Sequence, residues 1–164
     1  SANQVIALVK KEPAPQLIPF DTTFTLLLDG IQDPGNLGTI IRTADWFGIQ
    51  QILVTNDTAH KYNPKVIQST MGSCFRVAVE IADLEVVLAN NKLPVLGALL
   101  SGAPIYGKKL PSFGFMIIGN ESKGIRQNLH QFITDPVSIP RFGGAESLNA
   151  AVATGILLSH WKSA

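Results

Sequence analysis

The sequence predicts an α/β fold: a mainly parallel sheet flanked by helices. Two observations support this prediction. From Phe24 onward, short runs rich in Val, Ile, Leu or Phe alternate with helical patterns, and such alternation is typical of parallel sheets covered on both faces. The apolar runs mostly lack the period-two alternation of half-exposed strands, which indicates strands that are buried on both faces.

The composition favours a single domain that contacts another chain. The 164 residues are 46% hydrophobic and only 15% charged, which is enough for a substantial core. Sparse charge predicts apolar surface that lies against a second chain. The formal net charge of +1 gives no global basic footprint for nucleic acid, so any RNA binding must depend on local patches, a dimer or a preceding segment.

Several other classes of site are disfavoured. Cys74 is the single cysteine, which excludes an internal disulfide and a multi-cysteine zinc site and favours a reducing, cytoplasmic setting. The three histidines are far apart and none has a metal-binding helical spacing, so we expect no metal. We also expect no association with a membrane, because no apolar run is long enough to span a bilayer and no signal peptide begins the chain.

The first 20 residues are predicted to precede the domain. Residues 4–9 resemble a short strand, and residues 10–21 contain three prolines and two lysines, which is typical of a linker. We therefore divide the chain into a linker at 1–20, which follows a preceding domain, and a main domain at 21–164.

Six strands and five helices are predicted for the main domain from β-rich runs and helical spacing. The strands are placed at 24–28, 51–54, 76–81, 95–99, 115–118 and 137–139. The helices are placed at 37–47, 64–70, 83–90, 125–133 and 147–161. Their predicted N-caps are Asn36, Asn63, Asp83 and Ser147.

Three loops stand out because ligands of parallel sheets bind where the strands end. They cover residues 29–36, 119–124 and 140–147. In the first, a turn precedes a helix with an apolar stripe, and Arg42 shares the opposite side with Asp45. Its guanidinium is thus free to meet a phosphate or a carboxylate, although a capped helix with a solvated arginine explains the same pattern equally well.

The second loop places Gly119 and Gly124 around four polar residues, and glycines let a backbone approach a ligand closely. It is not a phosphate loop, because Ile125 follows Gly124 and the lysine precedes it. A plain strand-to-helix turn with a solvated Glu121 is the alternative interpretation of this segment alone.

The third loop leads into a helix rich in alanine and glycine, and such small residues allow close packing against sheet, helix or ligand. Its predicted packing stripe consists of Leu148, Val152, Ile156 and Ser159. Asn149 is a poor helix former in the predicted first turn, where its amide could orient a ligand or a loop.

Together, the segments DPGNLGTIIRTA (33–44), IGNESKG (118–124) and IP (139–140) followed by ESLNAAVATG (146–155) closely resemble the three ordered motifs of the SpoU/TrmH (SPOUT) RNA 2'-O-ribose methyltransferases. The resemblance covers roughly residues 24–161. It implies S-adenosylmethionine as the cofactor, RNA as the substrate, a homodimer and a C-terminal trefoil knot. Threading rules alone would argue against a knot.

The resemblance also implies roles for individual residues. The catalytic centre would contain Asn36, Arg42, Glu121, Ser147 and Asn149. The cofactor would be bound by Gly119, Asn120, Gly124, Ile139, Pro140 and Leu148. Because a guanidinium stays protonated, we expect Arg42 to hold an RNA phosphate and to stabilise charge on the ribose oxygen. Glu121 would orient Arg42 or take the proton through water.

The RNA is predicted to be ribosomal, because residues 4–19 resemble the connection after the small N-terminal RNA-binding domain of ribosomal-RNA members. A tRNA substrate is the alternative. A non-catalytic RNA-binding module with the same fold is a second hypothesis, which the intact Asn36, Arg42, Glu121 and Asn149 disfavour. A generic nucleotide-binding α/β domain would leave the three matched motifs unexplained.

Overall fold

The computed structural model describes residue 8 and residues 16–163. The predicted strand at 4–9 and most of the predicted linker therefore lie outside the described residues, and the boundary after residue 20 stays a prediction. The described end of the linker packs onto the domain. The Ile18 backbone N–H donates to Gln51 Oε1 at 2.9 Å, Gln51 Nε2 donates to the Ile18 carbonyl at 3.0 Å, and Phe20 contacts the ring of Phe115.

All strand pairs of the central sheet are parallel, as predicted. Its strands are β1 (Phe24–Asp29), β2 (Gln51–Val54), β3 (Ala78–Ile81), β4 (Val95–Pro104), β5 (Gly114–Gly119) and β6 (Asp135–Ser138). They lie in the order β3-β2-β1-β5-β4-β6. Every residue of β1 and β2 is buried, which agrees with the absence of period-two alternation in these two runs.

Helices cover both faces of the sheet. They are α1 (Pro34–Trp46), α2 (Pro64–Thr70), α3 (Leu84–Ala89), α4 (Gln127–His130) and α5 (Ala150–Ser163), together with a 3₁₀ helix at Ser73–Phe75 that the sequence analysis did not predict. Leu26 and Leu28 of β1 pack in one core cluster with residues of α1 and α5. Leu27 packs in the other with residues of α3 and α4. Alternate side chains of one strand therefore fill two cores.

Two of the four predicted N-caps are correct and two are wrong. Asn63 and Asp83 cap α2 and α3. Asn36 does not cap α1, because Pro34 already starts the helix and Asp33 accepts the Asn36 backbone N–H at 2.8 Å; proline is preorganised for a first helical position. Ser147 does not cap α5.

The start of α5 lies three residues later than predicted. Asn149 caps it by accepting the backbone N–H groups of Ala151 and Val152 at 2.9 and 3.2 Å. A short amide side chain competes well for these unpaired donors, so the poor helix former is outside the helix instead of in its first turn.

The predicted packing stripe of α5 is wrong. The buried residues of α5 are Ala150, Ala151, Thr154, Leu157 and Leu158. Val152 is 52% exposed and Leu148, just before the helix, is 45% exposed. The small residues pack against α1, and a Cβ on Gly155 would lie 3.8 Å from Thr43 Cγ2, an ordinary van der Waals distance. The buried face of α5 thus combines small residues with Leu157 and Leu158, whereas Val152 lies outside it.

Smaller differences concern element ends. The predicted helix 125–133 shrinks to α4, because Arg126 has an extended backbone with ψ of 143°. The fourth strand continues to Pro104, because β4 pairs again with β6 at Ala103 and Pro104 after an irregularity. In the part of the chain that the structure describes, no helix has both the length and the apolar character needed to cross a membrane. The predicted knot stays a prediction.

Candidate functional site

A cavity of about 1020 Å³ lies at the carboxyl ends of β4, β5 and β6, where ligands of parallel sheets bind. The second and third loops singled out in the sequence contribute much of its wall. All six residues predicted to bind the cofactor line it: Gly119, Asn120, Gly124, Ile139, Pro140 and Leu148. Glu121 and Ser147 of the predicted catalytic centre line it as well.

The loop after β5 closes on itself through its backbone. The Asn120 N–H donates to the Gly124 carbonyl at 3.0 Å, and the Gly124 N–H donates to the Asn120 carbonyl at 2.9 Å. A Cβ on Gly119 would lie 2.2 Å from the Gly124 carbonyl carbon, so only glycine fits there. Gly124 adopts a φ of +69°, which favours glycine. The two glycines are thus required by the shape of the cavity wall.

Asn36, Glu121 and Asn149 form one hydrogen-bonded chain, called here the polar relay. Asn36 Nδ2 donates to Glu121 Oε1 at 2.6 Å. Asn149 Nδ2 donates to Asn36 Oδ1 at 2.8 Å, while Asn149 Oδ1 caps α5. Residues that are 85 and 113 positions apart therefore meet, and the relay joins the first two loops to the cap of α5. Three of the five predicted catalytic residues are in direct contact through it.

Arg42 is not part of this cluster. It is exposed on α1, six residues beyond Asn36, which is about 9 Å along an α-helix. It does not line the cavity. Within residues 16–163 no hydrogen bond or ion pair engages its guanidinium. Within this chain Glu121 bonds to Asn36 and does not orient Arg42, contrary to one of the roles expected for it.

The carboxylates along α1 are already paired. Asp45, expected beside Arg42, accepts Arg76 Nη2 at 2.6 Å and the Ser73 hydroxyl at 2.7 Å, and these bonds lower the pKa of its carboxyl. The backbone N–H of Asn36 lowers the pKa of Asp33. Since its neighbours are engaged elsewhere, the Arg42 guanidinium is left available for a group outside this chain.

A second polar cluster, which the sequence did not predict, consists of Asp29, Asp57 and Arg126. The Asp29 side chain is fully buried at the end of β1. Arg126 donates its backbone N–H to Asp29 Oδ2 at 2.7 Å, and its guanidinium pairs with Asp57. A carboxylate that ends an apolar run was the available signal. Its partner Arg126 is 97 positions away in the sequence, so the spacing could not reveal the pair.

The large cavity fits a nucleoside that carries a charged amino-acid end. Its volume matches that of pockets for ligands of this size. Much of the wall is apolar or backbone, which suits an adenine ring, and the carboxylates of Glu121 and Glu146 suit a cationic group. Among the described residues, no group of three or more His, Cys, Asp or Glu side chains is placed to hold a metal ion.

The sequence profile of the SpoU rRNA Methylase family matches residues 23–159 of the chain. A similar relative is the 23S rRNA (guanosine(2553)-2'-O)-methyltransferase RlmP of Bacillus subtilis, which is 41% identical over 142 residues, 84% of this chain and 57% of that protein. The 23S rRNA (guanosine-2'-O-)-methyltransferase RlmB of Neisseria meningitidis is 34% identical over 142 residues, which is again 84% of this chain and 57% of that protein. The chain thus spans little more than half the length of these relatives.

Solved structures show the same architecture. The AdoMet-bound rRNA methyltransferase of Sinorhizobium meliloti has a TM-score of 0.79 at 31% identity, over 86% of this chain and 56% of that one. The SpoU methyltransferase AviRb of Streptomyces viridochromogenes, in complex with the cofactor AdoMet, has a TM-score of 0.79 at 28% identity, over 92% of this chain and 65% of that one.

Proposed function

Since the chain belongs to the SpoU rRNA Methylase family, we propose that it transfers a methyl group from S-adenosylmethionine to a ribose 2'-hydroxyl of ribosomal RNA. The observation that carries the proposal is the cavity wall. It contains all six residues predicted to bind the cofactor, and the polar relay ends in it at Glu121. The names of the similar relatives, which act on 23S rRNA, favour ribosomal RNA over tRNA.

The cofactor would be held mainly by backbone. Gly119, Ile139 and Leu148 line the cavity and would contact the cofactor through backbone groups, while Gly124 and Pro140 would shape the loops around it. S-adenosylmethionine supplies a methyl group already activated by its positively charged sulfur. The protein therefore needs no nucleophile of its own and has to position the ribose, exclude water and assist loss of the hydroxyl proton.

The polar relay and Arg42 divide these tasks. Glu121, fixed by the amide of Asn36, is a carboxylate of the cavity wall that can accept the hydroxyl proton directly or through water. Arg42 carries the planar cationic fork of a guanidinium. It would bind an RNA phosphate and stabilise negative charge as it develops on the ribose oxygen.

A homodimer is the second part of the proposal. Large apolar side chains are exposed on and beside α1 and α5, with Trp46 84%, Phe142 96% and Val152 52% exposed. The helices α1 and α5 pack against each other, and exposed apolar surface usually marks a site of association. A second copy on this surface would cover them. It would also give Arg42, which has no partner in the described part of its own chain, access to the cavity of the other copy.

A cytoplasmic location completes the proposal. Its support is indirect: the proposed RNA substrate and the lone Cys74, which fits a reducing compartment.

The proposed activity is tested with radiolabelled S-adenosylmethionine and ribosomal RNA transcripts. Methylation at a 2'-hydroxyl protects the adjacent phosphodiester from alkaline hydrolysis, so the label should appear in an alkali-resistant dinucleotide. Label on a base, or exclusively on tRNA, would contradict the proposed product or substrate. Calorimetric binding of S-adenosylmethionine separates an enzyme from a non-catalytic RNA-binding module, which need not bind the cofactor.

A further inference from the structure

The loop that forms part of the cofactor cavity is fastened to β1 by residues that do not line that cavity. Asp29 ends β1, and Arg126 follows directly after the loop 119–125. The Arg126 backbone N–H donates to Asp29 Oδ2 at 2.7 Å, and Arg126 Nε lies 3.2 Å from Asp29 Oδ1. Asp29 and Arg126 belong instead to the wall of a separate cavity of about 440 Å³. The loop end is thus held from outside the cofactor site.

The other end of the loop, at Asn120, is bound to Gly30, the residue that follows Asp29. Asn120 Nδ2 donates to the Gly30 carbonyl at 2.7 Å, and the Gly30 N–H donates to Thr55 Oγ1 at 2.8 Å. A Cβ on Gly30 would lie 3.3 Å from Asp57 Oδ2 and 3.5 Å from Arg126 Nη2. Both ends of the loop therefore contact the corner formed by Asp29 and Gly30. Little free space remains around Gly30.

The charges at this corner depend on one guanidinium. Asp29 has a fully buried side chain, whereas Arg126 and Asp57 are 48% and 44% exposed. A buried carboxylate without a cation is costly. The fork of an arginine can bond two carboxylates at once, which the point charge of a lysine does less well. Arg126 bonds to Asp57, which follows β2, through its guanidinium, and to Asp29 at the end of β1 through its backbone N–H. The guanidinium also lies at ion-pair distance from Asp29 Oδ1, which accepts no hydrogen bond from the described residues.

The loop is also bound on its cavity side. Glu121 lies within it and accepts Asn36 Nδ2 at 2.6 Å, and Asn36 belongs to α1, the helix that follows β1. A shift of the loop away from β1 would therefore move Glu121 relative to Asn36 as well as the backbone groups of Gly119 and Asn120. The position of the proposed catalytic carboxylate depends on the contacts of Arg126.

We propose that Arg126 is a positioning residue for the methyl transfer: its contacts with Asp29 and Asp57 hold the loop 119–125 where it can bind the cofactor and present Glu121. This inference rests on the proposed function. Arg126 itself neither lines the large cofactor cavity nor contacts the reacting groups.

The experiment compares Arg126→Lys, Arg126→Ala and Asp57→Asn with the unmodified protein. Amide hydrogen exchange of residues 119–125, calorimetric affinity for S-adenosylmethionine and single-turnover methyl transfer are measured. We expect faster exchange confined to this loop and a dissociation constant raised about tenfold. At saturating cofactor, transfer should fall up to about a hundredfold, the scale of a loss caused by roughly 1 Å of misplacement. Compared with Arg126→Ala, Arg126→Lys should regain more of the thermal stability of the unmodified protein than of its rate of methyl transfer.

Arg76→Ala is the matched control. Arg76 is 59% exposed and pairs with Asp45, so its removal breaks a similar ion pair away from the loop. It should leave loop exchange and cofactor affinity unchanged. Equal losses in the Arg76 and Arg126 variants would overturn the proposal, because they would indicate a general effect on stability.

Two further outcomes are decisive. If Arg126→Ala does not fold, the measurements on Arg126→Lys and Asp57→Asn decide whether Arg126 positions the loop. If both variants keep the hydrogen exchange of residues 119–125 and the cofactor affinity of the unmodified protein, the positioning role is overturned. If the unmodified protein does not bind S-adenosylmethionine, the proposed function fails, and loop exchange in the variants still decides whether Arg126 positions the loop.

Discussion

Asn36 connects the other two members of the polar relay, and its amide makes both side-chain bonds. In Asn36→Ala both bonds are lost, and Glu121 is no longer fixed. We expect methyl transfer to fall by about two orders of magnitude, while stability drops by about 1 to 2 kcal/mol for the two bonds. Single-turnover transfer and urea unfolding measure the two effects separately.

The matched control for Asn36 is Asn90→Ala. Asn90 is exposed, its amide donates to the Val86 carbonyl at the end of α3, and it does not line the cavity. Its loss should leave methyl transfer unchanged. Near-normal transfer by Asn36→Ala would remove the relay from the mechanism.

Arg42 differs from Asn36, because its side chain makes no hydrogen bond or ion pair with the described residues. Arg42→Ala should therefore leave stability and cofactor affinity within about 0.5 kcal/mol of the unmodified protein, as for other exposed sites, and should abolish most of the transfer. Arg42→Lys should remain strongly impaired, since lysine lacks the bidentate fork. Transfer on ribosomal RNA and calorimetry are the measurements. Lost cofactor binding would move Arg42 from chemistry to the cofactor pocket.

At the scale of elements, the loop after β5 is the least tolerant part of the site. In Gly119→Ala the new methyl group would overlap the Gly124 carbonyl carbon, 2.2 Å away, and backbone would have to move. We expect cofactor affinity to fall at least tenfold, measured by calorimetry. Gly144→Ala is the control, because no atom lies within 4 Å of its added Cβ. Unchanged affinity in Gly119→Ala would show that this loop does not form the cofactor site.

The two helices next to the site, α1 and α5, also differ in which residues they bury. In α1 the larger apolar residues Leu37, Ile40 and Ile41 face the core, as amphipathic spacing predicts. In α5 small residues face inward together with Leu157 and Leu158, and Val152 faces outward. Apolar spacing alone could not rank these two faces of α5, because both are apolar.

At the scale of the whole molecule, the exposed side of α5 leads to a test of the proposed dimer. We expect light scattering to give twice the mass of one chain, and Val152→Arg to give a monomer, because a buried unpaired charge at an interface is unfavourable. Val86→Arg is the control, since Val86 is 54% exposed on α3 and Val152 52% exposed on α5. A monomer before mutation at micromolar concentration would contradict the dimer.

The sequence by itself determined the parallel α/β class, the approximate positions of the six strands and the three loops of the site, because these depend on local signals: apolar runs, helical spacing and turn residues. The resemblance of the same three loops to known motifs supplied the expected chemistry and the expected site residues, of which Asn36, Arg42 and Asn149 do not line the cavity.

The tertiary structure alone decided which of these residues touch. It placed Asn149 at the cap of α5, joined Asn36 to Glu121 instead of Arg42 to Glu121, and brought Arg126 to Asp29. These contacts link residues up to 113 positions apart. Their formation depends on the order of strands in the sheet and on close packing of small residues, and both arise only when the whole chain has folded.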